Sequence, residues 1–182
     1  MSKQLSRPDT KSIRINLVFL IIFGVAFGFV EAAVVYYLRD LLNFHAGYVI
    51  TNYRTLLNLG FITFVTPGHS LLINSRITSI EVIRETATII MLISVAFIAG
   101  KNRKQRLSAF LITFACWDIS YYVFLKILDN WPSNFLTKDV YFLIPVTWIG
   151  PVITPLIISA IMLAVGAKLY LDRPRKPSFN QH

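Results

Sequence analysis

Four acidic side chains lie inside long apolar stretches of the sequence: Glu31, Glu81, Glu85 and Asp118. An ionisable residue at the centre of a membrane-spanning helix costs about 2.5–3.5 kcal/mol on insertion scales, so such residues face the interior of a helix bundle. Arg84 is the one basic residue among them. It shares a helix face with Glu81 and Glu85, since residues three and four apart are neighbours. The excess carboxylates require a proton, a bound cation or water, which predicts a polar site.

Helical spacing also places aromatic and hydroxyl groups beside Asp118. Tyr121 and Tyr122 follow it by three and four residues and are candidate hydrogen-bond partners. Trp117, the adjacent residue, is placed deeply enough to line a pocket for a small ligand. The candidate ligand-binding residues are Glu31, Glu81, Arg84, Glu85, Asp118, Trp117, Tyr121 and Tyr122.

The elements that must position these residues are long apolar runs. The chain has 182 residues, of which 55% are hydrophobic and only 15% charged, whereas a soluble domain carries about 25% charged residues. A helix crosses about 30 Å of hydrocarbon with about 20 apolar residues. We therefore predict an all-α integral membrane helical bundle with four spans, at about 16–38, 77–99, 107–128 and 150–171.

Two stretches between the predicted spans are apolar but too short or too broken to cross. The run near residues 56–65 is only about ten residues long and is followed by Pro67 and Gly68, so residues 56–73 are predicted to re-enter or lie on the membrane. Residues 140–149 contain Pro145 and are predicted to form a short, broken interfacial piece. The whole of 16–171 is then a single transmembrane domain.

The basic residues orient this bundle. Twelve of the 18 Lys and Arg residues lie in three clusters, at 3–14, 101–106 and 168–176, and positive charge concentrates in cytoplasmic segments. Both tails, 1–15 and 172–182, are therefore predicted to be cytoplasmic, in a multi-pass membrane protein. Because each cluster flanks an apolar run, the net charge of +9 indicates topology and attraction to membrane lipid, not nucleic acid.

Three of the acidic residues are predicted to lie at the same depth in the membrane. Glu31, Glu85 and Asp118 each lie seven to ten residues from the outer end of a predicted span, which is roughly 10–15 Å at 1.5 Å per residue. A small-xxx-small series at Gly24, Gly28 and Ala32 would let a second helix approach the first one closely. The sequence thus predicts a carboxylate-rich site in the outer half of the bundle.

Several functions fit such a site. The first is binding of a cation or small ligand, alone, as a homo-oligomer or as a subunit of a larger membrane complex. The second is a metal-dependent membrane enzyme that uses Glu31, Glu85 and Asp118 with a loop histidine, His45 or His69. The third is a proton- or cation-coupled transporter acting as an oligomer. A purely structural ion-pair network that fixes helix register is the alternative to all three. No catalytic residue or cofactor is assigned, and whether the protein is an enzyme stays open.

Four segments carry a resemblance. Residues 31–39 (EAAVVYYLR), 81–88 (EVIRETAT), 117–122 (WDISYY) and 139–151 (DVYFLIPVTWIGP) resemble the recurrent motifs of an uncharacterised family of small prokaryotic integral membrane proteins. The resemblance extends over residues 31–155. It implies a prokaryotic plasma membrane as the setting and these four segments as the ones to test, and it implies no particular activity.

Overall fold

Four long helices make up most of the protein. In the computed structural model, which describes residues 10–41, 53–67 and 75–171, they are α1 (Thr10–Leu41), α2 (Ser75–Ala99), α3 (Arg103–Asp129) and α4 (Ile153–Leu171). Each is long and apolar enough to cross a membrane, over Asn16–Leu41, Arg76–Ala99, Arg103–Asp129 and Ile153–Leu171. The four predicted spans are therefore confirmed as helices of spanning length. The tails 1–9 and 172–182 lie outside the described residues.

Helix α3 is the most buried of the four and packs against α1 with little between the two backbones. A Cβ atom on Gly28 would lie 2.6 Å from the carbonyl oxygen of Trp117, and one on Gly24 would lie 2.9 Å from that of Thr113. Only glycine permits this approach, which is the use expected of the small-xxx-small series. Ala32 continues the face and is fully buried.

A four-stranded antiparallel sheet lies at one end of the bundle. Its strands are β1 (Tyr53–Asn58), β2 (Thr63–Pro67), β3 (Lys138–Phe142) and β4 (Thr147–Pro151), in the order β1-β2-β4-β3. Phe64 of β2 pairs with Trp148 of β4, and Val140 of β3 pairs with Ile149 of β4. We call this the sheet end of the bundle, and the opposite end, where the loop from Gly100 to Asn102 joins α2 to α3, the base.

The sheet corrects the prediction of an all-α fold. The stretches 56–73 and 140–149 were predicted to re-enter or lie on the membrane, and their described parts form strands instead. Strand β2 of the first stretch forms backbone hydrogen bonds with strand β4 of the second. The part of the first stretch at residues 68–73 lies outside the described residues. The fourth span begins at Ile153 and not at residue 150, because Gly150 and Pro151 belong to β4.

Two apolar clusters hold the bundle at different heights. The cluster near the base comprises Leu20, Ala96, Ala109, Ile112 and Cys116. The cluster at the sheet end comprises Ala32, Tyr122, Leu125, Trp131 and Val152. Residues 117–121 of α3 therefore lie between the two clusters, and they include the polar residues Asp118 and Ser120.

Candidate functional site

Arg84 of α2 joins two acidic residues on two helices. Its Nε donates to Oε2 of Glu81 at 2.8 Å, and its NH1 donates to Oε1 of Glu31 on α1 at 2.5 Å. Glu81 is buried, and Arg84 and Glu31 are largely buried. We call these three residues the Arg84 triad. It carries one positive and two negative formal charges, and it ties α2 to α1 as a buried ion pair does.

Glu85 has a different partner. Its Oε2 accepts a hydrogen bond from the backbone N–H of Leu143, in the turn between β3 and β4, at 2.8 Å. It therefore fastens α2 to the sheet. The sequence predicted that Glu85 would meet Glu31 and Asp118 at one site, but Glu85 is absent from the wall of the cavity that those two residues share.

That cavity has a volume of about 180 Å³ and lies between helices α1, α3 and α4 and the sheet. We call it the carboxylate cavity, because three of its lining side chains are acidic. The acids are Glu31 from α1, Asp118 from α3 and Asp139 from β3. Apart from Ser159, the rest of the wall is aromatic or aliphatic. It consists of Ile62, Phe114, Trp117, Tyr121, Tyr122, Val140, Tyr141, Phe142, Trp148, Pro155, Ile158 and Met162.

Asp118 and Asp139 are bonded to hydroxyl groups. Oγ of Ser159, on α4, donates to Oδ2 of Asp118 at 2.8 Å. The hydroxyl of Tyr122 donates to Oδ2 of Asp139 at 2.9 Å. Within residues 10–41, 53–67 and 75–171 neither carboxylate forms a salt bridge, so both differ from Glu31, whose charge is paired with Arg84.

The partners of Asp118 and Tyr122 differ from those predicted. Tyr121 and Tyr122 were expected to hydrogen-bond to Asp118 on their own helix, yet the hydroxyl of Tyr122 bonds to Asp139 and Ser159 takes the place beside Asp118. Tyr121 lines the cavity. The tertiary partners from β3 and α4 thus replace the local ones.

Asp139 lies in β3, outside the four spans. Burial raises the pKa of its carboxyl to about 6, against the lowering effects of the Tyr122 hydroxyl, the Arg39 charge and the Val140 backbone N–H. Burial likewise raises the pKa of Tyr141 to about 12, and its hydroxyl donates to the carbonyl oxygen of Pro151 at 2.7 Å. Near neutral pH, Tyr141 is a neutral wall residue and Asp139 is close to its own titration range.

Three aromatic rings form a connected part of the cavity wall. The centroid of Phe142 lies 6.4 Å from that of Trp117 and 5.8 Å from that of Trp148. Trp117 as a whole is only 6% exposed. The indole Nε1 atoms of Trp117, Trp131 and Trp148 are buried and have no hydrogen-bond partner among the described residues. The wall therefore offers a ligand a continuous aromatic surface.

A second charged pair lies closer to the end of the bundle. NH1 of Arg39, on α1, donates to Oδ2 of Asp129, on α3, at 2.9 Å, and its guanidinium stacks over the ring of Trp131 at 4.0 Å from the centroid. None of these three residues lines the carboxylate cavity. The pair joins α1 to α3, next to the sheet.

The residues that the structure describes include no group of three or more histidine, cysteine, aspartate and glutamate side chains that could hold a metal ion. His45 and His69 lie outside the described residues. The metal centre predicted from Glu31, Glu85 and Asp118 with a loop histidine therefore stays a prediction, without support from the geometry of the three acids.

Sequence reasoning missed Asp139, Ser159 and Trp148 as site residues. Asp139 begins the alternating run Asp-Val-Tyr-Phe, a pattern typical of a strand, and Ser159 is a lone small polar residue in a strongly apolar helix. Those two signals were present in the sequence. Comparisons of the chain with protein-family models, with curated proteins and with solved structures find no match.

Proposed function

We propose that this protein is a multi-pass membrane protein that binds a small cation-bearing ligand in the carboxylate cavity. The observation that carries the proposal is the pair Asp118 and Asp139, two largely enclosed carboxylates bonded to hydroxyl groups and not to a basic side chain. A buried carboxylate without a counter-charge either takes up a proton or binds a cation. Hydrogen bonds from hydroxyl donors favour the charged form.

The composition of the cavity wall supports a ligand and not a structural ion pair. The Arg84 triad already provides the charge pairing that holds α1 against α2, and Asp118 and Asp139 lie outside it. A space of about 180 Å³ remains beside them. A concave site lined mostly by apolar and aromatic side chains, with a few polar groups among them, is the usual form of a small-ligand site.

The packing of the described helices between the cavity and the base supports a binding protein better than a transporter. The cluster between the cavity and the base consists of the apolar residues Leu20, Ala96, Ala109, Ile112 and Cys116. The buried hydroxyl groups at that level, Ser108 and Thr113, donate to backbone carbonyls of Gly166 and Ala109. The helix segments 17–30, 86–99, 107–117 and 160–167 therefore offer no acidic or basic side chain between the cavity and the base. A cation-coupled transporter needs polar groups on both sides of its site. We propose a binding protein that acts alone or within a larger membrane complex.

The proposed setting is a prokaryotic plasma membrane with the base, and both chain termini, on the cytoplasmic side. The basic loop 101–106 lies at the base, and basic residues concentrate in cytoplasmic segments. In this orientation the carboxylate cavity belongs to the outer half of the bundle and the sheet covers it from outside. The resemblance to small prokaryotic membrane proteins accords with this setting.

A thermal-unfolding screen of the purified full chain in mild detergent tests the proposal. A ligand that binds only the folded protein raises the melting temperature with concentration, by about 2.7 kcal/mol of stability at one hundred times its Kd. We expect at least one of Na⁺, K⁺, Mg²⁺, Ca²⁺, Mn²⁺ or a small ammonium compound to stabilise the wild type and not Asp118→Asn.

The matched control is Asp129→Asn, which neutralises an acidic residue of the same helix outside the cavity. It should respond to the cation as the wild type does. If no cation stabilises the wild type, or if both variants lose the response equally, the carboxylate cavity is not a cation-binding site.

A further inference from the structure

We infer that the ligand of the carboxylate cavity is a small organic ammonium compound. The inference rests on the proposed function and narrows it from any cation to one chemical class. It follows from three properties of the cavity: its size, its carboxylates without a basic hydrogen-bond partner, and the aromatic character of its wall.

The size of the cavity fits a compact organic molecule. An engineered cavity of about 150 Å³ in another protein accommodates benzene, so about 180 Å³ accommodates a molecule of roughly six to eight non-hydrogen atoms. A desolvated metal ion would fill only a small part of this space. The carboxylates from α3 and β3 provide negative charge at the wall, where a ligand cation needs it.

The aromatic wall is suited to an ammonium group. A cation binds the face of a tryptophan or phenylalanine ring within about 6 Å of the centroid, and quaternary ammonium ligands are recognised in this way. Trp117, Phe142 and Trp148 form one connected surface along the cavity. Divalent metal ions instead require about six or more oxygen ligands, and ring carbons cannot supply them.

The same chemistry occurs in a free ammonium compound and in the headgroup of a zwitterionic phospholipid. Asp118 lies eleven residues from the end of α3 at Asp129, about 16 Å at 1.5 Å per residue. A headgroup would have to leave the membrane surface and enter the hydrocarbon depth to reach it. The geometry therefore favours the free compound.

The test is a titration of intrinsic fluorescence in the full chain carrying Trp131→Phe. This substitution removes the one tryptophan outside the cavity wall, so the remaining emission comes from Trp117 and Trp148. The probes are choline, its uncharged isostere 3,3-dimethyl-1-butanol, tetramethylammonium, and Mg²⁺ and Ca²⁺ as chlorides. We expect saturable binding of choline, at least about tenfold weaker binding of the uncharged isostere, and binding of tetramethylammonium within about threefold of choline, because the wall acts on the ammonium group that both cations carry.

The outcomes distinguish this inference from the proposed function. Saturable binding of Mg²⁺ or Ca²⁺ without choline binding overturns the ammonium class and leaves a cation site. Equal affinity for choline and its uncharged isostere, or no binding of any probe, overturns both. To distinguish a free ammonium compound from a lipid headgroup, choline is titrated in nanodiscs of phosphatidylglycerol and of phosphatidylethanolamine. Equal choline affinity in the two lipids supports the free compound. Weaker affinity in phosphatidylethanolamine shows that the headgroup occupies the cavity.

Discussion

The two sets of carboxylates in this bundle have the same chemistry and different surroundings. In the Arg84 triad, Glu31 and Glu81 share one guanidinium between α1 and α2. On α3 and β3, Asp118 and Asp139 receive hydrogen bonds from the hydroxyl groups of Ser159 and Tyr122. The triad contains a basic side chain that is bonded to both of its acids, and the second pair contains none.

The different hydrogen-bond partners give the two sets of acidic residues different roles. A paired buried charge stabilises a particular arrangement of helices, and removal of one partner leaves an uncompensated charge. A carboxylate beside a cavity that forms no salt bridge with a basic side chain keeps its capacity for a cation. Glu31 belongs to both regions, since it is paired with Arg84 and lines the carboxylate cavity.

The largest effect is expected from Arg84→Met. The substitution leaves Glu31 and Glu81 buried without their counter-ion, which should lower the free energy of unfolding by about 3–5 kcal/mol. Thermal unfolding in detergent measures the loss. Adding Glu31→Gln and Glu81→Gln to the same variant should recover much of it, because the uncompensated charges are then gone. Full stability in Arg84→Met alone would show that the triad does not hold α1 to α2.

Asp118→Asn should have the next largest effect, on binding and not on folding. The amide can still accept from Ser159 but carries no charge, so cation affinity should fall about 10- to 100-fold, the equivalent of a charged hydrogen bond of about 1.5–3 kcal/mol. Calorimetric titration of choline gives the affinity, and the melting temperature should hold or rise. Asp129→Asn is the control and should bind as the wild type does.

Acidification should affect the folded protein and its ligand in opposite directions. Burial raises the pKa of Asp139 to about 6, above its value in the unfolded chain, so the folded state binds this proton more tightly. Its contribution therefore makes the unliganded protein more stable as the pH falls through 6. Cation affinity should fall roughly tenfold between pH 7.5 and 5.0, as the carboxylate is neutralised.

The variant Asp139→Asn checks the origin of this pH dependence. Melting temperatures and choline affinities are measured for the wild type and the variant at pH 5.0, 6.0 and 7.5. Both quantities should change less with pH in the variant than in the wild type. The groups around this carboxyl are Tyr122, Arg39, Asp118 and the Val140 backbone. A pH dependence that persists unchanged in Asp139→Asn would assign it to another of these groups.

The smallest effect is expected from Ser159→Ala. The hydroxyl donates to Oδ2 of Asp118 at 2.8 Å and favours the charged form of that carboxylate. Its removal should weaken choline binding about threefold, since a hydrogen bond of this kind contributes about 0.5–1.5 kcal/mol. Ser108→Ala is the control, because the Ser108 hydroxyl bonds to the Gly166 carbonyl, away from the cavity. Equal effects of the two substitutions on binding would contradict a specific role for Ser159.

The helices were predictable from the sequence and the sheet was not. Runs of about 20 apolar residues identify spans locally, and the four described helices lie close to the predicted limits. The pairing of Phe64 with Trp148 joins residues more than eighty positions apart. No local pattern reports such a pairing, and apolar strand residues resemble short membrane segments in composition.

In the site, as in the fold, contacts within one helix were predictable from the sequence and contacts between separate elements were not. The contact of Arg84 with Glu81 follows from helical spacing and is present at 2.8 Å. The partners of Asp118 and Tyr122 come from α4 and β3, so they depend on how helices and sheet are packed. Spacing along one helix gave the wrong partners for both residues.

The most direct test of the division between the two carboxylate sets compares Asp118→Asn with Glu81→Gln in one experiment. Both substitutions neutralise an acid of a spanning helix, and choline affinity and melting temperature are measured for each. We predict that Asp118→Asn loses affinity and keeps its melting temperature, whereas Glu81→Gln binds choline within about twofold of the wild type and shows a changed melting temperature. Loss of binding in Glu81→Gln with full binding in Asp118→Asn would contradict the account.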